Sequence, residues 1–254
     1  MLEGCVGLPE GTKETHFFSR YYHRGLPWYQ AHFNNCPRGL TLGEICTSYF
    51  ASAQARLRIA DDISRCKIVC TLREPVERLY SYYKLARRYG WARKRSFEKA
   101  FKKELAFPLI SRYALHIKGW WNAVGKENVL VLLYDDLIAA PLDYLAALHR
   151  FIDVPMPAVS LPRLAMRINI VERSPRSWRM ARLAGRLEFW LASHRRFAAL
   201  DRLKRTAMWK LCTEGGANFP PLAPELRGRL QGSFSPLVEE LETLLQRDLS
   251  AWKA

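Results

Sequence analysis

A carboxylate and an imidazole stand two residues apart near the start of the chain, at Glu14 and His16. In an extended segment alternate side chains point to the same side, so these two would be neighbours, with Lys13 and Thr15 on the other side. A paired carboxylate and imidazole can take a proton from a hydroxyl group. The two phenylalanines that follow would anchor the segment in the core. The alternative is that Glu14 and His16 are ordinary surface residues.

A second segment, KIVCTLREPVERLYSYY at residues 67–83, predicts a buried strand, a tight turn and a helix. Its first apolar and β-branched residues are too few for a helix, and Pro75 suits a first helical turn. Such a helix start offers free amides and a positive dipole end to an anion, and Arg73 adds a fixed charge. The Ser81 hydroxyl could donate to the same anion. The alternative is an ordinary strand-turn-helix unit in which Arg73 pairs with Glu77.

The elements that must position these residues alternate between strand and helix. This alternation predicts an α/β fold, a mostly parallel β-sheet flanked by helices. Residues 213–221, TEGGANFPP, indicate a loop rich in glycine. The predicted strands cover residues 43–50, 67–72 and 128–137, and the predicted helices cover residues 52–62, 75–89, 96–105, 111–125, 141–151, 173–211 (basic) and 235–246.

Charge is the most unusual property of the composition. The chain has a net charge of +16, and residues 163–210 hold thirteen Lys or Arg against three acidic residues, a local net charge of +10. Such charge favours nucleotides, sulfated or phosphorylated acceptors, anionic membranes or nucleic acid, and does not choose among them. Solvated helix faces are the plain alternative.

The remaining composition restricts the class of protein. No apolar run of about 18 residues predicts a membrane span, and the first residues lack the pattern of a signal peptide. The six cysteines have no paired CxxC spacing, so reduced thiols and a cytoplasmic location are expected.

Taken together, the segments resemble the nucleotide-dependent sulfotransferases, in the branch with heparan-sulfate sulfotransferases and bacterial relatives. The matching segments occur in the family's order and cover nearly the whole chain. They are KETHFF at 13–18, GLPWYQAHF at 25–33, GEICTSYF at 43–50, LREPVERLYSYY at 72–83, GKENVLVLLYDDL at 125–137, and FPPLAPELRGRL with QRDLSAW near the end.

The resemblance implies one domain over residues 1–254 with the P-loop nucleotide-kinase-like fold, in which residues 173–211 form a basic helical insertion or lid. It implies that 3′-phosphoadenosine 5′-phosphosulfate donates the sulfuryl group and that Arg73 and Ser81 grip its 3′-phosphate. Glu14 would be the general base, and His16 would orient the base or the acceptor hydroxyl. No metal is required by this scheme, and the sequence shows no cluster of metal-binding residues.

Further site residues follow from the same resemblance. The loop containing Gly215 and Gly216 would close backbone over the nucleotide. The acceptor would be a hydroxyl of a carbohydrate, a glycolipid or a small molecule, with no nucleic acid as partner. The residues expected to contact the acceptor are Lys13, Phe18, Trp28 and Tyr113.

The sequence departs from the family pattern at two places. The family has a first strand and a Lys-Ser-Gly-Thr-Thr-like loop for the 5′-phosphosulfate before the segment that contains Glu14, and this chain starts after that point. We therefore expect a truncated or impaired member. The second departure is Ile45-Cys46-Thr47, where the family often has Lys-Thr-Pro, so a contact there is not expected to be kept.

Two other classes of function are weighed against the enzyme. A non-catalytic basic module would use residues 163–210 to bind a polyanion or an anionic membrane, and the same helices could give the enzyme a peripheral membrane contact. A nucleotide-kinase-like phosphotransferase is disfavoured because the sequence has no GxxxxGK[ST] motif.

Overall fold

The computed structural model describes residues 4–94, 96–103, 107–158 and 171–253. The chain divides into two compact units, each assembled from separate segments. The first contains Met1–Arg73 and Arg112–Met166, and the second contains Glu74–Ser111 and Arg167–Ala254. The assignment of residues 1–254 to one domain stays a prediction. Residues 104 and 105 of the helix predicted at 96–105, and residues 163–170 of the basic stretch, lie outside the described residues.

The first unit contains four short strands and five α-helices among its described residues. The strands are β1 (Val6–Gly7), β2 (Thr41–Leu42), β3 (Ile68–Leu72) and β4 (Val129–Leu133). The helices are α1 (Leu26–Gln30), α2 (Ala53–Asp62), α6 (Tyr113–Val124), α7 (Tyr134–Ala139) and α8 (Pro141–Ile152), with a π-helix at Phe17–Tyr21 and 3-10 helices at Tyr22–Arg24, Ala31–Phe33, Thr47–Tyr49 and Lys126–Asn128.

Both strand pairs are parallel, as the alternation of strands and helices predicts. β1 pairs with β2, and β3 pairs with β4 over five residues, with Cys70 opposite Val131. β3 was expected to be buried, but only Cys70 and Leu72 are buried while Val69 and Thr71 are exposed. One face of the strand therefore packs on the core and the other does not.

The core of the first unit lies on one side of β4 and between helices. Leu132 packs with Tyr144 and Leu145 of α8, so the strand and the helix that follows it share one apolar cluster. Trp120 of α6 is buried, and its indole N–H donates to the carbonyl of Phe50 at 3.1 Å. These contacts fix the elements on which the candidate site is built.

The second unit is helical in its described residues. Its helices are α3 (Pro75–Arg88), α4 (Phe97–Lys103), α5 (Phe107–Ile110), α9 (Trp178–Ser193), α10 (Phe197–Lys204), α11 (Ala207–Glu214) and α12 (Pro224–Leu245), and a 3-10 helix covers Ser250–Trp252. The apolar side of α3 packs on α12 and α4 in a cluster that includes Leu79, Tyr83, Phe97, Leu230 and Phe234. Among the described residues, no helix has the length and apolarity needed to cross a membrane.

Element boundaries differ from the sequence prediction in several places. β4 ends at Leu133 rather than near residue 137, because Asp135 and Asp136 suit the first turn of a helix and α7 begins there. The last helix begins at Pro224 rather than near residue 235. The strand predicted at residues 43–50 is wrong: these residues contain a 3-10 helix at Thr47–Tyr49, and the strand β2 lies just before them at Thr41–Leu42. The basic region forms three helices between residues 178 and 214.

Candidate active site

The segment that contains Glu14 is fixed by a half-buried carboxylate, Glu44. One Glu44 oxygen accepts hydrogen bonds from both the backbone amide and the hydroxyl of Thr15, each at 2.6 Å. The Tyr49 hydroxyl lies 3.1 and 3.2 Å from the two Glu44 oxygens, and it accepts from the Phe18 amide at 3.3 Å. The Ile45 amide donates to the Lys13 carbonyl at 3.0 Å. These hydrogen bonds connect residues 13–18 to residues 44–49.

Glu14 and His16 lie next to each other, as the alternation of side chains predicts. His16 Nε2 is 3.4 Å from Glu14 Oε2, and both side chains are about one quarter exposed (22% and 24%). Thr15 points the opposite way, into the core. His16 has a positive φ of 54°, which is uncommon for residues other than glycine, and it caps the π-helix Phe17–Tyr21. This turn brings the imidazole beside the carboxylate.

The surroundings move the two pKa values in opposite directions. Burial raises the pKa of Glu14, and the negative charge of Glu44 adds to this, while Lys13 and a hydrogen bond from the Thr47 amide lower it. Burial and the charge of Arg20 lower the pKa of His16. A carboxylate of raised pKa beside a neutral imidazole is suited to accept a proton from a hydroxyl group near neutral pH.

The other nitrogen of His16 contacts a set of hydroxyl and thiol groups. Nδ1 is 3.1 Å from Ser48 Oγ and 3.5 Å from Cys46 Sγ, and Ser48 Oγ is 2.9 Å from Ser19 Oγ. If Nε2 carries the hydrogen toward Glu14, Nδ1 accepts from Ser48, which fixes the orientation of the ring. Burial raises the pKa of the Cys46 thiol to about 12, so this cysteine stays protonated.

Three residues with metal-binding side chains meet in this cluster, contrary to the sequence analysis. Glu14, His16 and Cys46 each place a ligand atom within 4.8 Å of the others. The thirty residues between His16 and Cys46 hide the cluster in the sequence, because only the folded chain brings them together. The expectation that catalysis needs no metal stays a prediction.

The residues predicted to contact the acceptor differ in exposure. Lys13 is exposed and Trp28 is half-buried, stacked near Phe17 at 6.1 Å between ring centroids. Phe18 and Tyr113 are buried, so neither ring offers a surface to an acceptor. Phe18 anchors the segment that contains Glu14 among aromatic rings.

Arg73 stands at the end of β3, as predicted. Its carbonyl accepts from the Tyr113 hydroxyl at 2.9 Å, and its guanidinium carbon lies 5.1 Å from the centre of the Tyr134 ring. Both aromatic residues belong to the first unit, so the end of the strand is held by α6 and α7. Tyr113 therefore positions the backbone of Arg73.

The start of α3 differs from the prediction that its amides are free. Glu74 is the N-cap, and its buried carboxylate accepts from the Val76 amide at 2.9 Å and the Glu77 amide at 2.7 Å. These amides are therefore already occupied, and the prediction that they are free is wrong. Glu77 forms an ion pair with Arg227 of the same unit. Ser81 is exposed on α3.

The glycine-rich loop is bound to its own unit. The Gly216 amide donates to the Ser174 carbonyl at 2.8 Å, and Arg173 forms an antiparallel bridge with Asn218. A Cβ at Gly216 would lie 2.7 Å from the Ser174 carbonyl oxygen, and one at Gly215 would lie 2.4 Å from the Leu211 oxygen. Close backbone packing explains both glycines, and the Gly216 amide is not available to a nucleotide.

Glu44 and Tyr49, which hold the site together, were not predicted from the sequence. They lie within GEICTSYF at residues 43–50, a segment for which a strand and a resemblance to the family were predicted, but no site residue. An acidic residue among apolar and hydroxyl-bearing residues was the available signal for a structural carboxylate. Its hydrogen bonds to Thr15 and Tyr49, however, are visible only in the folded structure.

The architecture and the paired Glu14 and His16 define a class, the α/β proteins with parallel strands and a candidate base. The family described as "Sulfotransferase domain" matches residues 5–172, so the chain belongs to the sulfotransferase domain family. The chain is similar over 98% of its length to a sulfotransferase of known structure from Alicyclobacillus acidocaldarius, of which it covers 89%, with a TM-score of 0.66 and 21% identity. That likeness shows the α/β sulfotransferase fold.

Curated relatives agree with the family assignment. The chain is 28% identical over 150 residues to mouse heparan sulfate glucosamine 3-O-sulfotransferase 3B1, covering 55% of this chain and 38% of the relative. It is 28% identical over 165 residues to human bifunctional heparan sulfate N-deacetylase/N-sulfotransferase 3, covering 58% of this chain and 19% of the relative. The chain thus spans less than two fifths of these two relatives.

Proposed function

We propose that the chain transfers a sulfuryl group from 3′-phosphoadenosine 5′-phosphosulfate to a hydroxyl group. The observation that supports this best is the contact between Glu14 and His16 in a member of the sulfotransferase family. Glu44 holds the segment of this pair in place through its hydrogen bonds to Thr15. The names of the curated relatives favour a glycan acceptor, and a glycolipid or a small molecule would use the same chemistry.

In this reaction Glu14 accepts the proton of the acceptor hydroxyl while the hydroxyl oxygen attacks sulfur. The bond between sulfur and the bridging oxygen of the nucleotide breaks, and adenosine 3′,5′-bisphosphate leaves with the electron pair. His16, whose Nε2 lies 3.4 Å from Glu14 Oε2, orients the carboxylate. Lys13 is exposed near this pair, where its charge would attract an anionic acceptor.

Arg73 and Ser81 remain the predicted ligands of the nucleotide 3′-phosphate. Because Glu74 already accepts hydrogen bonds from the amides at the start of α3, this proposal assigns the phosphate to side chains. A guanidinium group suits this task because it offers several donors in a fixed plane.

Calorimetry with adenosine 3′,5′-bisphosphate tests the nucleotide site without requiring turnover. We expect binding by the chain and a loss of about 10²-fold in affinity for Arg73→Ala, because charge-assisted hydrogen bonds to a phosphate are lost. Arg112→Ala, which removes another arginine of the same unit, is the control and should bind as the original chain does. No heat with the original chain, or equal heat with Arg73→Ala, would exclude this assignment.

The pH dependence of kcat/KM tests the role of Glu14 as a base. Because its pKa is raised above 4.5, activity should be present above that raised pKa and should be lost as the pH falls through it. Lys13 lowers this pKa, so Lys13→Met should move the acid limb to higher pH. Lys118→Met, at another exposed lysine of the unit, should leave the limb in place. If the acid limb of kcat/KM stays in place or moves to lower pH in Lys13→Met, Glu14 is not the base.

A further inference from the structure

Helix α9 exposes a row of large apolar side chains. Met180, Leu183, Leu187 and Trp190 are 43%, 70%, 41% and 52% exposed. Their spacings of three, four and three residues place them on one strip of the helix, within about 80° of its circumference. We call these four residues the apolar ridge. Several such side chains together on a surface indicate a binding surface.

The opposite side of α9 fixes the direction in which the apolar ridge points. Ala181, Ala184, Gly185 and Leu191 are buried. A Cβ at Gly185 would lie 3.0 Å from the Tyr89 carbonyl oxygen. The small residues thus allow close backbone packing on the end of α3, and the helix cannot turn to bury the ridge without losing this packing.

Basic side chains lie directly beside the apolar ridge. Arg179, Arg182 and Arg186 are exposed and fall on the neighbouring strip, within about 60° of one another. The only acidic residue of α9, Glu188, forms an ion pair with Lys204 at 2.6 Å. The arginines therefore face solvent without an acidic neighbour on their own helix.

Two clefts join the arginines to aromatic and apolar side chains. One, of about 370 Å³, is lined by Trp91, Arg182, Arg186 and Phe189. The other, of about 460 Å³, is lined by Trp178, Arg179, Arg182, Leu183 and Arg186. Each cleft offers guanidinium groups beside apolar surface, which suits a phosphate attached to a hydrocarbon chain.

Helix α11, which packs against α9, adds exposed apolar surface to this unit. Met208 and Leu211 are 72% and 48% exposed and lie three residues apart on one side of α11. The sequence from residue 163 to residue 210 has a net charge of +10. Exposed apolar residues in a strongly basic region are typical of segments that lie in a membrane interface.

We propose that α9, with α11 beside it, docks on the surface of a bilayer that contains anionic phospholipids. The apolar ridge enters the interface between headgroups and acyl chains, and the arginines bind lipid phosphates. A sulfated glycan or a nucleic acid would use the arginines but leave the apolar ridge in water. A second copy of the chain would bring two regions of charge +10 together, which costs electrostatic energy. The proposal does not depend on the proposed enzymatic reaction.

Co-sedimentation with vesicles tests the proposal. We expect the chain to bind vesicles with one third phosphatidylglycerol, to bind more weakly as salt rises, and to leave pure phosphatidylcholine vesicles unbound. Leu183→Glu should lower the partition coefficient about tenfold or more, because it places a charge in the interface. Leu57→Glu makes the same change at an exposed leucine (62%) of α2 in the other unit and should have little effect.

Arg182→Gln combined with Arg186→Gln should remove the preference for the anionic lipid. The proposal is overturned if the chain does not bind phosphatidylglycerol vesicles, or if Leu183→Glu and Leu57→Glu have the same partition coefficient. It is also overturned if the chain binds heparin but not vesicles. A third contrary result is a chain that is dimeric, does not bind vesicles, and becomes monomeric in Leu183→Glu. Leu183 is exposed, so its substitution should leave the circular dichroism spectrum unchanged, and this measurement confirms that the variant is folded.

Discussion

Glu14→Gln is expected to lower kcat for sulfuryl transfer by about 10²- to 10⁴-fold, the usual contribution of a general base. The amide can still accept the hydrogen bond from Thr47 and contact His16, but it cannot take up a proton. The affinity for adenosine 3′,5′-bisphosphate should therefore stay within about twofold, since the change removes an interaction made only in the transition state. Single-turnover kinetics and calorimetry measure the two quantities.

His16 is the competing base, and a second substitution separates the two roles. His16→Asn keeps a residue that tolerates the left-handed backbone and can donate to Glu14, so a positioning role predicts a smaller loss of rate, about tenfold. The acid limb of the pH profile should persist in His16→Asn and disappear in Glu14→Gln. Glu10→Gln, at an exposed acid of the same unit, is the control. A larger loss in His16→Asn than in Glu14→Gln would reverse the assignment.

Local patterns predicted the elements that position the site. The strand at residues 68–72, the turn at Arg73 and the helix from Pro75 are correct because short-range sterics and burial determine them. The end of β4 was placed too late, since the apolar residues Tyr134 and Leu137 extend the strand pattern, although Asp135 and Asp136 suit the first turn of a helix. The role of Glu74 was missed for a similar reason, because a side-chain cap competes for the amides that an anion would use.

The candidate site was predictable in part. Alternation along residues 13–16 predicted that Glu14 and His16 are neighbours, and the structure has them in contact. The contacts of Cys46 and Ser48 with His16 join residues about thirty positions apart, and no periodicity indicates them. Burial of Phe18 and Tyr113 depends on packing from several elements, so aromatic character alone could not separate core residues from residues that contact an acceptor.

In the basic region the sequence predicted the helices but not which of their faces is exposed. The sequence predicted helices and charge between residues 173 and 211, and three helices are present from residue 178 to residue 214. From the sequence, the basic region could be a lid, a set of helices with a solvated face, or an interfacial helix. The buried face of α9, with Gly185 packed against Tyr89, selects the orientation that exposes the apolar ridge.

Glu44→Ala is expected to destabilise the first unit and to abolish turnover. The Thr15 amide, the Thr15 hydroxyl and the Tyr49 hydroxyl would lose their acceptor in a buried place. Each unsatisfied buried donor costs about 1–3 kcal/mol, so a loss of about 2–5 kcal/mol in the free energy of unfolding is expected after partial relaxation. Urea denaturation measures this loss, provided that the slope of the transition is unchanged.

Glu44→Gln distinguishes the loss of hydrogen bonds from the loss of charge. The amide oxygen still accepts from Thr15, so most of the stability should return. Because the charge of Glu44 raises the pKa of Glu14, the acid limb of Glu44→Gln should move to lower pH. Asp61→Ala, at an exposed acid of α2, should change neither quantity. Equal stability of Glu44→Ala and the original chain would show that Thr15 and Tyr49 find other partners and that Glu44 does not hold the segment containing Glu14 in place.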